Sequence, residues 1–341
     1  MIPSTSSEDT TGRHLFLGFQ GTEWKDTLRS WLRALRPGGL VLFRRNIVEA
    51  SQVKALIQEA NAWARSELGR PLLWAVDEEG GSVQRLAKVL GPCPSALELA
   101  KAADAAGSAQ CATTLCDQVS KTAQGLRRLG IHINLAPVLD VVRNPQEHFL
   151  GSRSLGDCPQ KTAHLGSLWI RCLQENGVAA TAKHFPGLGT AELDPHEQLP
   201  VVKAEKAAKA REDLLPFREA VRCGVRAVMT SHAVYTFWDS EWPGSLSWKI
   251  NRGLLREAWN FKGVLLSDDM NMKAIGDRYE PETVVRRSLL ATVDGLLVCQ
   301  DEQSAEIFAR ALHDVIRRHG DLQAAHRESL RRFQELMSSF F

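Results

Sequence analysis

The chain has 341 residues, 44% of them hydrophobic and 24% charged, with a formal net charge of +2. That balance is ordinary for a folded globular protein, and without a basic run interleaved with aromatics it argues against nucleic acid as the main partner. No apolar stretch reaches the roughly 18 residues needed to span a bilayer, which argues against membrane insertion.

The first nine residues are polar and rich in Ser and Thr, with neither the basic nor the apolar region of a signal peptide. Residues 1–11 are expected as a disordered tail and 12–341 as one domain, in a cytoplasmic setting. Short apolar runs then alternate with longer amphipathic ones. The strand candidates are residues 14–19, 39–43, 72–76, 133–136, 178–183, 227–230, 263–266 and 295–299. Helical patterns occupy 51–68, 97–129, 160–175, 281–293 and 305–318. Pro216 starts a further helix, and residues 322–337 read as a closing one. The strands are too short and too evenly apolar to be half-solvated, so they are expected to be covered on both faces. Eight strand–helix units predict an α/β protein, a single (β/α)8 barrel of the TIM type rather than an open sheet. Seven cysteines without CxxC spacing, mostly inside these patterns (Cys111, Cys116, Cys172, Cys223, Cys299), read as reduced, buried thiols.

Polar residues gather where the strands end, which is where barrel enzymes build their sites. The run at 72 leads into Asp77-Glu78-Glu79-Gly80-Gly81, and that at 133 into Pro137 and Asp140. The run at 178 leads into Lys183-His184-Phe185-Pro186-Gly187-Leu188-Gly189, with Asp194-Pro195-His196 close behind. Ser231-His232 and Ser267-Asp268-Asp269 follow the next two strands. Three adjacent carboxylates repel one another unless cations or ligands meet them, although a solvated loop opening a helix would show the same residues. Ser267, Asp268 and Asp269 are all good helix caps, so Asp268 can serve the site while Asp269 caps. His232 reads equally as structural or functional. Asp194 can accept from one ring nitrogen of His196 and leave the other to exchange a proton. His184, His196 and His232 with Asp77 and Asp268 could suggest a metal site. No His-x-His pair lies near the first strand and there is no HExxH, so no metal is expected.

Together, DEEGGSVQR at 77–85, APVLD at 136–140, GSRSLG at 151–156, KHFPGLG at 183–189, DPH at 194–196 and SDDMNM at 267–272 resemble glycoside hydrolase family 3. More narrowly, they are similar to its single-domain bacterial β-N-acetylhexosaminidases of the peptidoglycan-recycling type. The resemblance implies Asp268 as nucleophile and His196 as general acid/base, oriented by Asp194. It also implies Asp77, Arg85, Arg153, Lys183 and His184 as sugar-binding residues, with Lys183 and Arg153 helping to keep Asp268 anionic. It implies no cofactor, a monomer, and a carbohydrate or muropeptide substrate: terminal β-linked N-acetylglucosamine on anhydro-N-acetylmuramic acid. Three departures stand out. Pro195 interrupts the dyad, Leu188 replaces the second histidine of KHFPGHG, and Glu78 replaces glutamine and is expected to add a charge near Asp77. A phosphorylase using phosphate as acceptor and a non-catalytic sugar-binding barrel are the alternatives.

Overall fold

The structure is a computed structural model that describes residues 10–105 and 108–341. Eight parallel strands close into a barrel: β1 (Leu15–Leu17), β2 (Gly39–Leu42), β3 (Leu73–Val76), β4 (Ile133–Asn134), β5 (Ala179–Phe185), β6 (Ala227–Thr230), β7 (Val264–Asp269) and β8 (Gly295–Val298). Each pairs with its sequence neighbours and β1 closes on β8, as a (β/α)8 barrel requires. All eight match the strands read from the sequence. Helices Ala50–Glu67, Pro159–Glu175, Pro281–Leu290 and Glu302–Arg318 also fall where their periodicity placed them. Of the predicted helix over 97–129 the structure describes Ala96–Ala105 and Ser108–Leu129, both helical.

Burial on both faces accounts for the near-continuous apolar runs. Along a strand, alternate side chains face opposite ways. Phe16, Val41, Leu73, Ala75, Ile133, Ala179, Val264, Leu266 and Leu297 fill the inside of the barrel, while Leu15, Leu17, Trp74 and Leu265 pack against the helices. Phe333 and Leu336, on the closing helix Gln323–Met337, plug the N-terminal end of the barrel.

Residues 1–9 of the predicted tail lie outside the described residues. Thr11, placed in that tail, is buried and begins a short 3-10 turn. Beneath it, Thr10, His326 and His14 are linked side chain to side chain at 3.0 and 2.9 Å, and His14 Nδ1 donates to the Asp294 carbonyl at 2.7 Å. Burial, with His326 alongside, pushes His14 down to about 4. His132 is likewise pushed down to about 4 by burial, with Arg65 nearby. The unfolded chain takes up these protons near pH 6.5 and the folded one only near 4, so stability present above about pH 6.5 is lost as pH falls toward 4. For His14 the loss is of order 3 kcal/mol. Urea midpoints at pH 7 and 5 should show the fall, and His14→Gln should flatten it; an unchanged slope would remove His14 from the account.

The reading of every cysteine as a reduced thiol needs correction. Cys116 on helix Ser108–Leu129 and Cys172 on helix Pro159–Glu175 form a disulfide, with Cα atoms 5.7 Å apart. Adjacent barrel helices bring the two residues together, a pairing that spacing alone does not reveal. Cys93, Cys158, Cys223 and Cys299 are free. The side chain of Cys111 lies outside the described residues.

Candidate active site

The alternation that fills the barrel also aims the site. Leu73 and Ala75 of β3 point inward, so Asp77 and then Glu79, each two residues further along an extended chain, point inward above them. Val264 and Leu266 set the same row on β7, which ends at Asp268. Ala179 sets it on β5, which reaches Lys183. His184 would face away from a regular strand. The ladder from β5 to β6 slips between Lys183 and Phe185, where the Lys183–His184 peptide is cis, and both side chains line the opening.

That opening is a cavity of about 270 Å³ at the C-terminal ends of the strands. Asp77, Arg85, Arg153, Lys183, His184, His196 and Asp268 supply its polar wall; Phe43, Leu135, Met229 and Leu297 supply its apolar part. Of the eight residues singled out from the sequence, seven therefore meet in one cavity. The eighth, Asp194, stands behind His196: its Oδ1 accepts from the His196 amide at 2.9 Å and lies 2.7 Å from Nδ1. The His196 side chain is 65% exposed, so water can reach its other nitrogen.

Three further residues adjoin the site that the sequence reading named at strand ends without giving them a role in it. Glu79 is buried beneath Asp77 and accepts from Arg153 Nε and Nη2, both at 2.9 Å, while Lys183 Nζ lies 2.5 Å away. Burial would raise its carboxyl, but Lys183 and Arg153 outweigh that and hold it down at about 2. Its spacing of two from Asp77 was the available signal. Asp140, fully buried after β4, accepts from the His184 ring at 2.7 Å and from the Leu188 amide at 2.6 Å. His232 is buried, bonded to Ser245 at 2.7 Å and to the Asp269 carbonyl at 3.1 Å, and burial pushes it down.

The charge balance differs from the sequence reading in two respects. Lys183 is committed to Asp77 at 2.8 Å as well as to Glu79; burial disfavours its charge, yet these two carboxylates raise it. Arg153 is likewise raised against burial, chiefly by Glu79. Neither leads in keeping Asp268 ionised. Burial works against that carboxylate, and His184, 4.0 Å from it, followed by His232, brings it below the usual range. A salt-linked platform of Asp77, Glu79, Arg153 and Lys183 thus adjoins a separate Asp140–His184–Asp268 row. Glu78 points to neither: its Oε2 accepts from the amides of Arg85 and Leu86, both at 2.9 Å. The expected extra charge beside Asp77 is turned away because neighbouring residues of an extended segment face opposite sides.

The loop carrying the dyad is pinned at its start. Gly187 takes φ 127°, and its carbonyl accepts from Tyr235 at 2.7 Å. At Gly189 a Cβ would sit 1.8 Å from the Val141 carbonyl oxygen, so only glycine fits. Leu188, where the family pattern has histidine, is buried in the core. Pro195 packs in the dyad with its carbonyl 3.4 Å from the Ala274 amide.

The sequence profile described as the glycosyl hydrolase family 3 N terminal domain matches residues 13–336. The chain belongs to glycosyl hydrolase family 3. A β-hexosaminidase of Xanthomonas oryzae pv. oryzae is 35% identical over 296 residues, covering 86% of this chain and 85% of that protein. One from Alkalilimnicola ehrlichii is 31% identical over 300 residues, covering 88% and 84%. Among solved structures, a family 3 β-N-acetylglucosaminidase from Paenibacillus sp. str. FPU-7 superposes with a TM-score of 0.89 at 33% identity. This chain is covered to 97% but spans only 62% of that one. A β-N-acetylhexosaminidase from Beutenbergia cavernae gives 0.86 at 26% identity, with 99% of both chains covered. A family 3 barrel is a glycoside hydrolase fold, and the polar cavity at its strand ends is the place for that chemistry. Among the described residues no helix is long and apolar enough to cross a membrane.

Proposed function

We propose that the protein is a retaining exo-β-N-acetylglucosaminidase that removes terminal β-linked N-acetylglucosamine from peptidoglycan fragments. The observation that carries this reading is the meeting of Asp268 and the Asp194–His196 pair at one cavity with room for about one sugar ring. Asp268, below the usual carboxylate range, attacks the anomeric carbon as its bond to the leaving oxygen breaks, giving a glycosyl ester. His196 protonates that oxygen, then takes a proton from the water that cleaves the ester. Asp194 fixes the ring by accepting at Nδ1, which turns the other nitrogen toward the substrate. Asp77, Arg85 and the platform beneath them grip the sugar's hydroxyls. An imidazole acid avoids setting a second carboxylate against Asp268. The names of the relatives, β-hexosaminidases and β-N-acetylglucosaminidases, support the acetamido sugar. The muropeptide aglycone follows from the motif resemblance.

His196→Ala tests the assignment. Its kcat/KM, which reports the first step, should fall about 10²–10⁴-fold on the N-acetylglucosaminyl-muropeptide, and much less on the p-nitrophenyl β-N-acetylglucosaminide, whose leaving group needs little acid help. Equal losses on both substrates would remove the acid/base role. Wild type should release free N-acetylglucosamine with and without phosphate; sugar 1-phosphate as product would move the assignment to a phosphorylase.

A further inference from the structure

A further histidine reaches the acid/base loop from outside the motif segments. His148 lies between the segments at 136–140 and 151–156, on the connection that follows β4. Its two ring nitrogens serve two different stretches of backbone. Nε2 donates to the carbonyl of Ala191 at 3.0 Å, and Nδ1 accepts from the amide of Leu150 at 3.2 Å. A carbonyl can only accept and an amide N–H only donate, so the neutral tautomer with its hydrogen on Nε2 satisfies both. Burial pushes the ring below its usual value and favours that neutral form. Stacking on Phe149, with ring centroids 4.3 Å apart, holds its plane.

The two anchored points lead to two working parts of the site. Ala191 is buried and stands three residues before Asp194, on the loop that Gly187 and Gly189 pin at its start. Leu150 is buried and precedes the 3-10 turn Gly151–Arg153. Its carbonyl accepts from the Arg153 amide at 3.0 Å, and the His148 carbonyl accepts from the Gly151 amide at 2.9 Å. Arg153 reaches from that turn to Glu79. A single imidazole thus joins the backbone ahead of the proton donor to the backbone that presents an arginine to the sugar.

We propose that His148 is a positioning residue that fixes the distance between the His196 loop and Arg153, so that the acid and the bound sugar are held in register. It acts through the two backbones and not on the sugar, and the inference rests on the reading of His196 as general acid. Lysine and arginine have no acceptor, so neither can make both bonds.

Two substitutions separate the links. Asparagine puts an oxygen near the place of Nδ1 and keeps the Leu150 bond, but falls short of Ala191. Glutamine carries an amide N–H out to the place of Nε2 and keeps the Ala191 bond, but gives up Leu150. The measurement is kcat/KM of the full chain on the N-acetylglucosaminyl-muropeptide and on p-nitrophenyl β-N-acetylglucosaminide. His148→Asn should lose about 10- to 100-fold on the muropeptide, the scale of a misplaced catalytic group, and less than about threefold on the aryl glycoside, which needs little acid help. His148→Gln should restore most of the muropeptide loss and instead raise KM on both substrates alike, as Arg153 shifts. In a His196→Ala background, His148→Asn should add no further loss on the muropeptide, whereas general damage to the fold would multiply with it. Equal losses on the two substrates in His148→Asn, multiplying losses, or wild-type rates would overturn the proposal. Equal losses on the two substrates in His196→Ala alone would remove the acid role itself, and the proposal with it, whatever His148 does.

Discussion

Asp268→Ala should lower kcat on p-nitrophenyl β-N-acetylglucosaminide by at least about 10⁴-fold, the scale of losing a nucleophile, while the protein stays folded. The carboxylate ends the inward row of β7, lines the cavity, and is held below its usual range by His184 and His232. A carboxyl held below its usual range adds some stability when ionised, so the melting temperature should fall modestly while the rate collapses. Its neighbour makes the contrast. Asp269 lies above the usual range, at about 6, mainly through burial, and its Oδ1 accepts from the amides of Asn271 and Cys299. Asp269→Asn keeps an accepting oxygen there and should retain far more activity. Comparing the two variants on one substrate decides the matter. An Asp268→Ala protein keeping a hundredth of the wild-type rate would take the nucleophile's role from Asp268.

Glu79→Gln should be the most destabilising of the conservative changes in the site. Its carboxylate is the shared partner of Arg153 and Lys183, and all three are largely buried. Neutralising it leaves Arg153 without its bidentate acceptor, and breaking a buried pair on one side costs about 3–5 kcal/mol. The melting temperature should drop by roughly 5–10 °C, with KM rising as Arg153 and Lys183 lose their fixed positions. Glu78→Gln, one residue earlier, should be neutral or stabilising. Burial raises the Glu78 carboxyl, which accepts from the amides of Arg85 and Leu86, and a glutamine oxygen can do the same. Opposite outcomes at adjacent glutamates, measured by thermal melts and by KM, would establish the platform. Equal, small effects would mean that Glu79 carries no shared charge.

The barrel was legible because its strands are covered on both faces and its polar residues cluster just past them. Asp268, Lys183 and Asp77 followed from the same pattern, since alternation carries an inward apolar row into an inward polar one. Glu79 had that signal too, but it was hidden in a run of three carboxylates that reads equally as a solvated loop. Glu78 was misjudged for the same reason: proximity along the chain is not proximity in space when side chains alternate. Asp140 acts through residues more than 40 positions away, at His184 and Leu188, and no local pattern announces such a bond. The partnership of Cys116 with Cys172 likewise depends on which helices the barrel makes neighbours.

The Cys116–Cys172 bond spans 56 positions and encloses β4, Asp140 and Arg153. Part of the charged frame therefore hangs on a loop whose covalent closure follows the thiol potential of the surroundings. An oxidising compartment keeps the loop shut, and the thiol buffers of a reducing one work to open it. That difference acts on the unfolded chain more than on the cavity. In a chain-entropy account the shut loop disfavours unfolding by about 4 kcal/mol. The medium, without touching a catalytic atom, sets how long the protein lasts.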